Sequence, residues 1–389
     1  MEPHERVLRR AENLKLLHQT SRDSPMGRLL RSFWQPIARA ETVVAGQARA
    51  IRVMGEDLTI YRGESGKPYL VGSHCAHRGT VLHTGWVEKD QIRCMYHGWR
   101  YDGGGRCTEI PAEKNARSDE IRITSYPLHE YCGLVFAYMG EGMAPEFDLP
   151  KKHFLDEPGR HIFAREQVWD CNWFQQVENS LDAVHVSFVH VWGKFSRFGE
   201  ELTTAIPELK YAETSAGIRQ IATRSKNNVR VSDWTFPNNN HVVVPGAKTG
   251  DPWSDLTVWA VPIDDGNTMR FTLYSFPASA AEEARRHANA PDRAINPADY
   301  CAQLFNQREI PEVGHSQLLS FQDYVALKGQ GDIADRAAEN LSASDAGIVL
   351  LRKICLREMD AIRGGQPTKR WTRLDEKIDL PIPTAEAAG

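Results

Sequence analysis

The chain has 389 residues, 41% hydrophobic and 25% charged, an ordinary globular composition that excludes disorder, collagen and coiled coil. Forty-seven basic residues against fifty-one acidic ones give a formal charge of −4, which argues against nucleic acid as the partner. No apolar run approaches the roughly 20 residues of a membrane span, and Met1 to Lys15 is charged throughout, without the apolar stretch of a secretory signal. The expected location is cytoplasmic.

The length predicts two domains, because single cores rarely grow past about 250–300 residues. Residues 1–34 read as an amphipathic N-terminal helix and a lead-in strand. Residues 35–150 alternate short β-rich runs (Leu58–Tyr61, Tyr69–Val71, Leu134–Met139) with Gly/Pro turns, the pattern of a β-sandwich. Gly140 to Pro158 is the expected linker. Residues 151–389 mix strands at Ile218–Thr223, Val242–Val244, Leu256–Val261 and Met269–Phe276 with an exposed helix at Ala280–Ala290 and a closing helix at Leu341–Arg363. The tail after Gly364 is Pro/Ala-rich. No internal repeat stands out.

Seven cysteines is an odd number and argues for reduced thiols. Two of them have a histidine close behind. Cys75-Ala76-His77 is followed, after sixteen intervening residues, by Cys94-Met95-Tyr96-His97. Two thiolates and two imidazoles fit either a structural zinc ion or a Rieske [2Fe–2S] cluster. Zinc fingers usually pair Cys with Cys and His with His. Here each loop supplies one of each, so each can straddle both irons. Gly79 follows the first pair, and Gly98, Gly103 and Gly105 follow the second; glycines let backbone N–H groups approach the sulfurs. Cys107, Cys132, Cys171, Cys301 and Cys355 read as small buried hydrophobes.

Cys75-Ala76-His77-Arg78-Gly79 and Cys94-Met95-Tyr96-His97-Gly98-Trp99 resemble the Rieske domain of aromatic-ring-hydroxylating oxygenases. Respiratory Rieske proteins add one disulfide cysteine per loop, where this chain has Thr80 and Tyr96. More than 230 residues follow, too many for a Rieske ferredoxin. Within them Asn179, Asp182, His185 and His190 stand in an apolar, aromatic stretch. Asp182 and His185 are three apart, on one face of a helix. His185 and His190 are five apart, about 140° round an ideal helix, so they can share one metal only if the helix ends or distorts near 186–190. The pattern Asn-x-x-Asp-x-x-His-x-x-x-x-His resembles the mononuclear iron motif of the same oxygenases. The resemblance implies that His185 and His190 bind a ferrous ion, with Asn179 close by and a downstream carboxylate completing a facial triad. Phe321-Gln322-Asp323-Tyr324-Val325 looks like the ligand helix, which makes Asp323 the expected carboxylate; Asp332, Asp335, Asp345 and Glu178 are its rivals. Trp259 to Asp265 is similar to a strand end of the phthalate-dioxygenase-like branch.

The resemblance further implies an α+β chain, with a Rieske [2Fe–2S] β-sandwich and a helix-grip catalytic domain built on a curved antiparallel sheet. It implies one [2Fe–2S] cluster and one mononuclear Fe(II) per subunit, and a homotrimer or stacked hexamer. In that assembly Asp182 bridges His97 of one subunit to His185 of the next. Electrons would come from NAD(P)H through a separate flavin and iron–sulfur reductase, since this chain has no dinucleotide-binding glycine fingerprint. Resemblance to phthalate- and phenoxybenzoate-type oxygenases suggests an aromatic acid as substrate with O2, by cis-dihydroxylation or ether cleavage. Arg197, Arg219, Arg224, Arg230 and Arg270 are candidates to grip its carboxylate. Trp173, Phe174, Phe188, Trp192, Phe195 and Phe198 could wall a pocket or simply fill the core. Demethylation, a bare electron carrier and a zinc-stabilised binding protein are the competing readings.

Overall fold

The structure, a computed structural model, describes residues 11–113, 118–147, 149, 153–190, 202–203, 205–226, 228–244, 253–289 and 315–369. Trp192, Phe195, Arg197, Phe198, Cys301 and the last twenty residues of the Pro/Ala-rich tail lie outside them. Contacts divide the chain into two units. One comprises Thr20–Asp148 with Val261–Asp265; the other comprises Met1–Gln19, Leu149–Ala260 and Gly266–Gly389.

In the first unit no strand leads in before Gln35; a helix, Pro25–Arg31, stands there instead. The local chemistry explains it. Proline sits at the first helical position, where its missing N–H costs nothing, and the Ser24 hydroxyl accepts from Gly27 N at 3.0 Å. Three small sheets come next. One pairs Gln35–Arg39, Leu134–Ala137 and Leu128–Tyr131. A second pairs Ala48–Val53, Glu56–Arg62, Pro68–Gly72 and Ser125–Tyr126. The third pairs Trp86–Glu88, Gln91–Arg93, Arg100–Tyr101 and Cys107–Glu109. Cys75 and Cys94 belong to the unit's core, packed with Tyr61, Val71, Leu82, Ile92 and Tyr101.

The second unit is built on a seven-stranded sheet. Its spatial order is His161–Trp169, Thr268–Phe276, Ser254–Pro262, Asn239–Val244, Asn228–Thr235, Gly217–Ser225, Glu208–Glu213. The last four pair antiparallel as a meander, and the first strand in sequence pairs with the last. Three helices of this unit carry or support its functional side chains: Trp173–Ser180, His315–Lys328 and Ala346–Arg363. Asn172 caps the first of them, accepting from Phe174 N at 3.0 Å. The closing helix starts at Ala346, later than its hydrophobic pattern suggests, because Ser342 and Asp345 form a capping box around a preceding 3-10 turn. Trp173, Phe174, Trp234, Trp259 and Phe271 are fully buried, so two of the suspected pocket aromatics are core. Phe188, by contrast, is 59% exposed. Cys107, Cys171 and Cys355 are buried as expected, and Cys132 is partly exposed. No described helix is long and apolar enough to cross a membrane.

Candidate metal centres

The two Cys/His loops are built alike. Gly79 N donates to Cys75 O at 3.0 Å and Gly98 N to Cys94 O at 3.1 Å. Cys75 N donates to Thr80 O at 2.9 Å and Cys94 N to Trp99 O at 2.8 Å. Gly79 and Gly98 sit at φ 76° and 75°, the left-handed conformation that a side chain would disfavour. Each loop therefore folds back onto its own cysteine. Both thiols are buried, while His77 and His97 are exposed with ring centroids 4.5 Å apart. Burial pushes the Cys75 thiol up, against a hydrogen bond from Tyr101. The Tyr101 hydroxyl lies 3.2 Å from Cys75 Sγ and accepts from Ala76 N at 3.0 Å. Burial also pushes the Tyr101 phenol up; to a thiolate sulfur, which carries no proton, this hydroxyl would be the donor. His77 stacks on Trp99, 4.7 Å between centroids and nearly parallel. A buried sulfur pair beneath an exposed imidazole pair is the donor layout of a two-iron cluster with an inner and an outer iron.

The helix break near the second centre falls earlier than the 186–190 stretch that the His185/His190 spacing pointed to: residues 186–189 form one helical turn between the two histidines, and the break precedes His185. The helix Trp173–Ser180 ends before Asp182, so Asp182 and His185 do not share a helix face as their spacing suggests. Instead, Asp182 Oδ1 accepts from Val184 N at 2.9 Å and His185 N at 3.2 Å, starting a new single turn, Val186–Val189, flanked by the two histidines. That turn and the helix His315–Lys328 bring His185, His190 and Asp323 together. Their donor atoms all lie within 4.8 Å of one another, the only such trio among the described residues. Both Nε2 atoms face Asp323 Oδ1, at 3.4 Å from His185 and 3.1 Å from His190. Burial opposes ionisation of Asp323, but His190 and His185 hold its carboxyl well below the usual range; Asp323 in turn raises His185 against its own burial. Asp323 Oδ1 and His185 Nδ1 are buried with no hydrogen-bond partner. A trio of two imidazoles and one carboxylate, aimed at one point with an orphaned oxygen, fits a divalent iron.

Gln322 supports this site without having been foreseen. Its Oε1 lies 2.9 Å from His190 Nδ1, which fixes the ring with Nε2 turned toward Asp323. Its only sequence signal is its place beside Asp323. Asp182 Oδ2 stands 3.9 Å from His185 Nδ1, beyond hydrogen-bond length. Asn179 is partly buried at the end of its helix, where its carbonyl accepts from Asp182 N at 3.2 Å. The rival acids are engaged elsewhere. Glu178 pairs with Arg336 and Arg352. Asp332 pairs with Lys328, Asp335 caps Ala337 N, and Asp345 caps Ser342 N.

The candidate arginines divide in the same way. Arg219 is bidentate to Asp233, at 2.9 and 3.1 Å. Arg270 donates to Ser320 Oγ at 3.0 Å and covers the Trp169 ring. Arg224 and Arg230 have no acidic partner among the described residues. Burial pushes Arg230 down to about 10, nearby Arg224 adds to this, and Asp323 opposes it.

Residues 33–127 match the Rieske [2Fe-2S] domain family. The chain is 34% identical to the oxygenase subunit of 5,5'-dehydrodivanillate O-demethylase from Sphingobium sp., over 96% of this chain and 86% of that one. It is 30% identical to the oxygenase subunit of phthalate 4,5-dioxygenase from Pseudomonas putida, over 91% and 87%. Its fold is similar to the oxygenase in an oxygenase–ferredoxin complex of carbazole 1,9a-dioxygenase, at TM-score 0.66 and 20% identity, over 94% of this chain and 99% of that one. The chain therefore belongs to the Rieske non-haem iron oxygenases, as a terminal oxygenase component with a [2Fe–2S] cluster and a mononuclear iron.

Proposed function

We propose that Cys75, His77, Cys94 and His97 hold the cluster, that His185, His190 and Asp323 hold the mononuclear iron, and that the substrate oxidised with O2 is an aromatic acid. The observation that carries the reading is the convergence of both histidine Nε2 atoms on Asp323 Oδ1. Two relatives named for aromatic acids, dehydrodivanillate and phthalate, support the substrate class. When bound, the cluster supplies single electrons and the iron activates O2. The protein's own part is positional. Gln322 holds His190, and the backbone N–H groups of Val184 and His185 hold Asp182 Oδ1, leaving Oδ2 free to accept from an imidazole. In a homotrimer or stacked hexamer, Asp182 would join His185 to the partner subunit's His97. A separate flavin and iron–sulfur reductase would deliver the electrons; the oxygenase–ferredoxin complex of the carbazole system supports a separate electron carrier of this kind.

A single-turnover assay with chemically reduced protein, O2 and a panel of aromatic acids and their methyl ethers tests this reading. A product gaining both oxygen atoms marks ring dioxygenation. Loss of a methyl group as formaldehyde marks O-demethylation, the reading favoured by the dehydrodivanillate relative. No oxidised product from any member would contradict the proposal. Asp182→Asn should retain both metals and slow oxidation of the cluster about 10–100-fold, the usual cost of losing an outer-shell partner; a wild-type rate would refute the bridge.

Tyr101→Phe should lower the midpoint potential of the cluster. One hydrogen bond to sulfur worth about 1 kcal/mol corresponds to roughly 40 mV for a one-electron couple. Redox titration of the cluster absorbance measures it, and an unchanged potential would mean that Tyr101 does not donate to a cluster ligand.

A further inference from the structure

Among the described residues, two cations on one face of the large sheet lack counter-charges. In the register of Gly217–Ser225 with Asn228–Thr235, Ile218 pairs with Trp234, Gln220 with Ser232 and Ala222 with Arg230. Directly paired residues share a face and alternate residues repeat it, so Gln220 and Arg230 point to one side; Arg224 stands at the register shift between Thr223 and Ser225, and its own contact places it on that side. That side meets the link carrying the first iron ligand: Gln220 Nε2 donates to Leu181 O at 2.6 Å, and Arg224 Nη2 reaches Ala183 O at 3.4 Å. Arg224 Nε and Nη1 and Arg230 Nε are buried without a hydrogen-bond partner.

The nearby acids do not supply the missing charge. Asp233 lies on the opposite face and is taken by Arg219. Glu178 is taken by Arg336 and Arg352, and Asp182 Oδ1 by two backbone N–H groups. Asp323 faces both histidine Nε2 atoms, and a cation held by Asp323, His185 and His190 would consume its charge. Two half-buried guanidiniums with buried, unanswered N–H groups beside this site favour an anion, and their planar forks match a carboxylate.

We infer that Arg224 and Arg230 form the carboxylate clamp of the substrate pocket, holding an aromatic acid by its carboxylate beside the His185/His190/Asp323 centre. The inference rests on the proposed oxygenase function and deepens it. It assigns specificity to two of the five candidate arginines. Arg219 and Arg270 already have partners in the protein, and Arg197 lies outside the described residues.

The test is calorimetric titration of the full, metal-loaded protein without O2, using benzoate, phthalate and vanillate, each beside its methyl ester. At least one acid should bind about tenfold or more tighter than its ester. Arg224→Gln and Arg230→Gln should each weaken that acid about tenfold to a hundredfold, the scale of a lost charge-assisted hydrogen bond. Neither should change ester affinity, iron content or cluster absorbance. Arg224→Lys and Arg230→Lys keep the charge without the fork and should fall between, which separates recognition from a folding defect. Equal binding of acids and esters, acid binding by both glutamine variants at wild-type strength, or no binding of any acid would overturn the clamp. Because binding is read without turnover, failure of the parent reading shows separately. If neutral esters are oxidised in single turnover and acids are not, the oxygenase assignment stands and the clamp falls. If the protein holds no mononuclear iron, the assignment falls, and the acid–ester comparison still judges the two arginines.

Discussion

Asp323→Ala is expected to lose about one iron per chain while keeping the Rieske absorbance and electron paramagnetic spectrum, and to form no product in single turnover. The physical reason is the site's composition. Asp323 is the sole anion of the trio, and its Oδ1 is the point on which both Nε2 atoms converge. Without it, two neutral imidazoles must hold a divalent cation with no anion among the ligands. Metal-centred stabilisation of several kcal/mol is then lost, a fall in rate of roughly a thousandfold or more. His185→Ala should give the same partition, because its imidazole ligates this centre and not the cluster. Loss of the Rieske spectrum in either variant would show that the ligand sets are divided wrongly. Full iron occupancy in Asp323→Ala would transfer the carboxylate role to another acid, although Asp332, Asp335 and Asp345 are each committed elsewhere.

Glu178→Ala is expected to cost about 3–5 kcal/mol of stability, the usual penalty for stranding a buried charge. Glu178 sits on the helix that leads into the iron-ligand turn. It accepts from Arg336 Nη2 at 2.8 Å and from Arg352 Nε at 2.7 Å, and the side chains of all three are less than 10% exposed. Arg352 keeps a second partner in Glu339, at 2.6 Å. Arg336 has no other acid among the described residues, and it lies over the buried Phe174 ring. The loss should therefore appear as a melting temperature lower by roughly 6–20 °C. Glu178→Leu combined with Arg336→Leu should recover much of it, since apolar replacement of a whole buried pair is often neutral. A single variant that melts like wild type would mean that the network contributes nothing to stability.

These residues also mark where the sequence was readable and where it was not. Cys75, His77, Cys94 and His97 could be recognised because each loop carries its donors within four residues and closes on its own glycine. His185 and His190 were visible because they stand close together in sequence; their awkward spacing pointed to a break near 186–190, whereas the structure breaks the helix before His185. The expected shared helix of Asp182 and His185 failed because the Asp182 carboxylate captures two backbone N–H groups and starts a new turn, a choice that periodicity does not register. Asp323 could be reached only by motif, since no spacing rule connects it to the histidines. The lead-in strand failed because Ser24 and Pro25 start a helix there. Glu178, Gln322, Arg224 and Arg230 were hardest to assign. Their roles depend on partners far away in sequence, or on having none, and only the folded sheet and helices reveal which charges are answered.

One chain is held to carry both a Rieske cluster and a separate mononuclear iron at the His185, His190 and Asp323 trio. Mössbauer spectroscopy of protein grown on isotopically enriched iron, with iron and sulfide counted per chain, tests this most directly. The expected result is about three irons and two sulfides per chain, with roughly two-thirds of the iron in the cluster and one-third as a high-spin ferrous site that disappears in Asp323→Ala. Two irons only, or a third that survives the loss of Asp323, would contradict it.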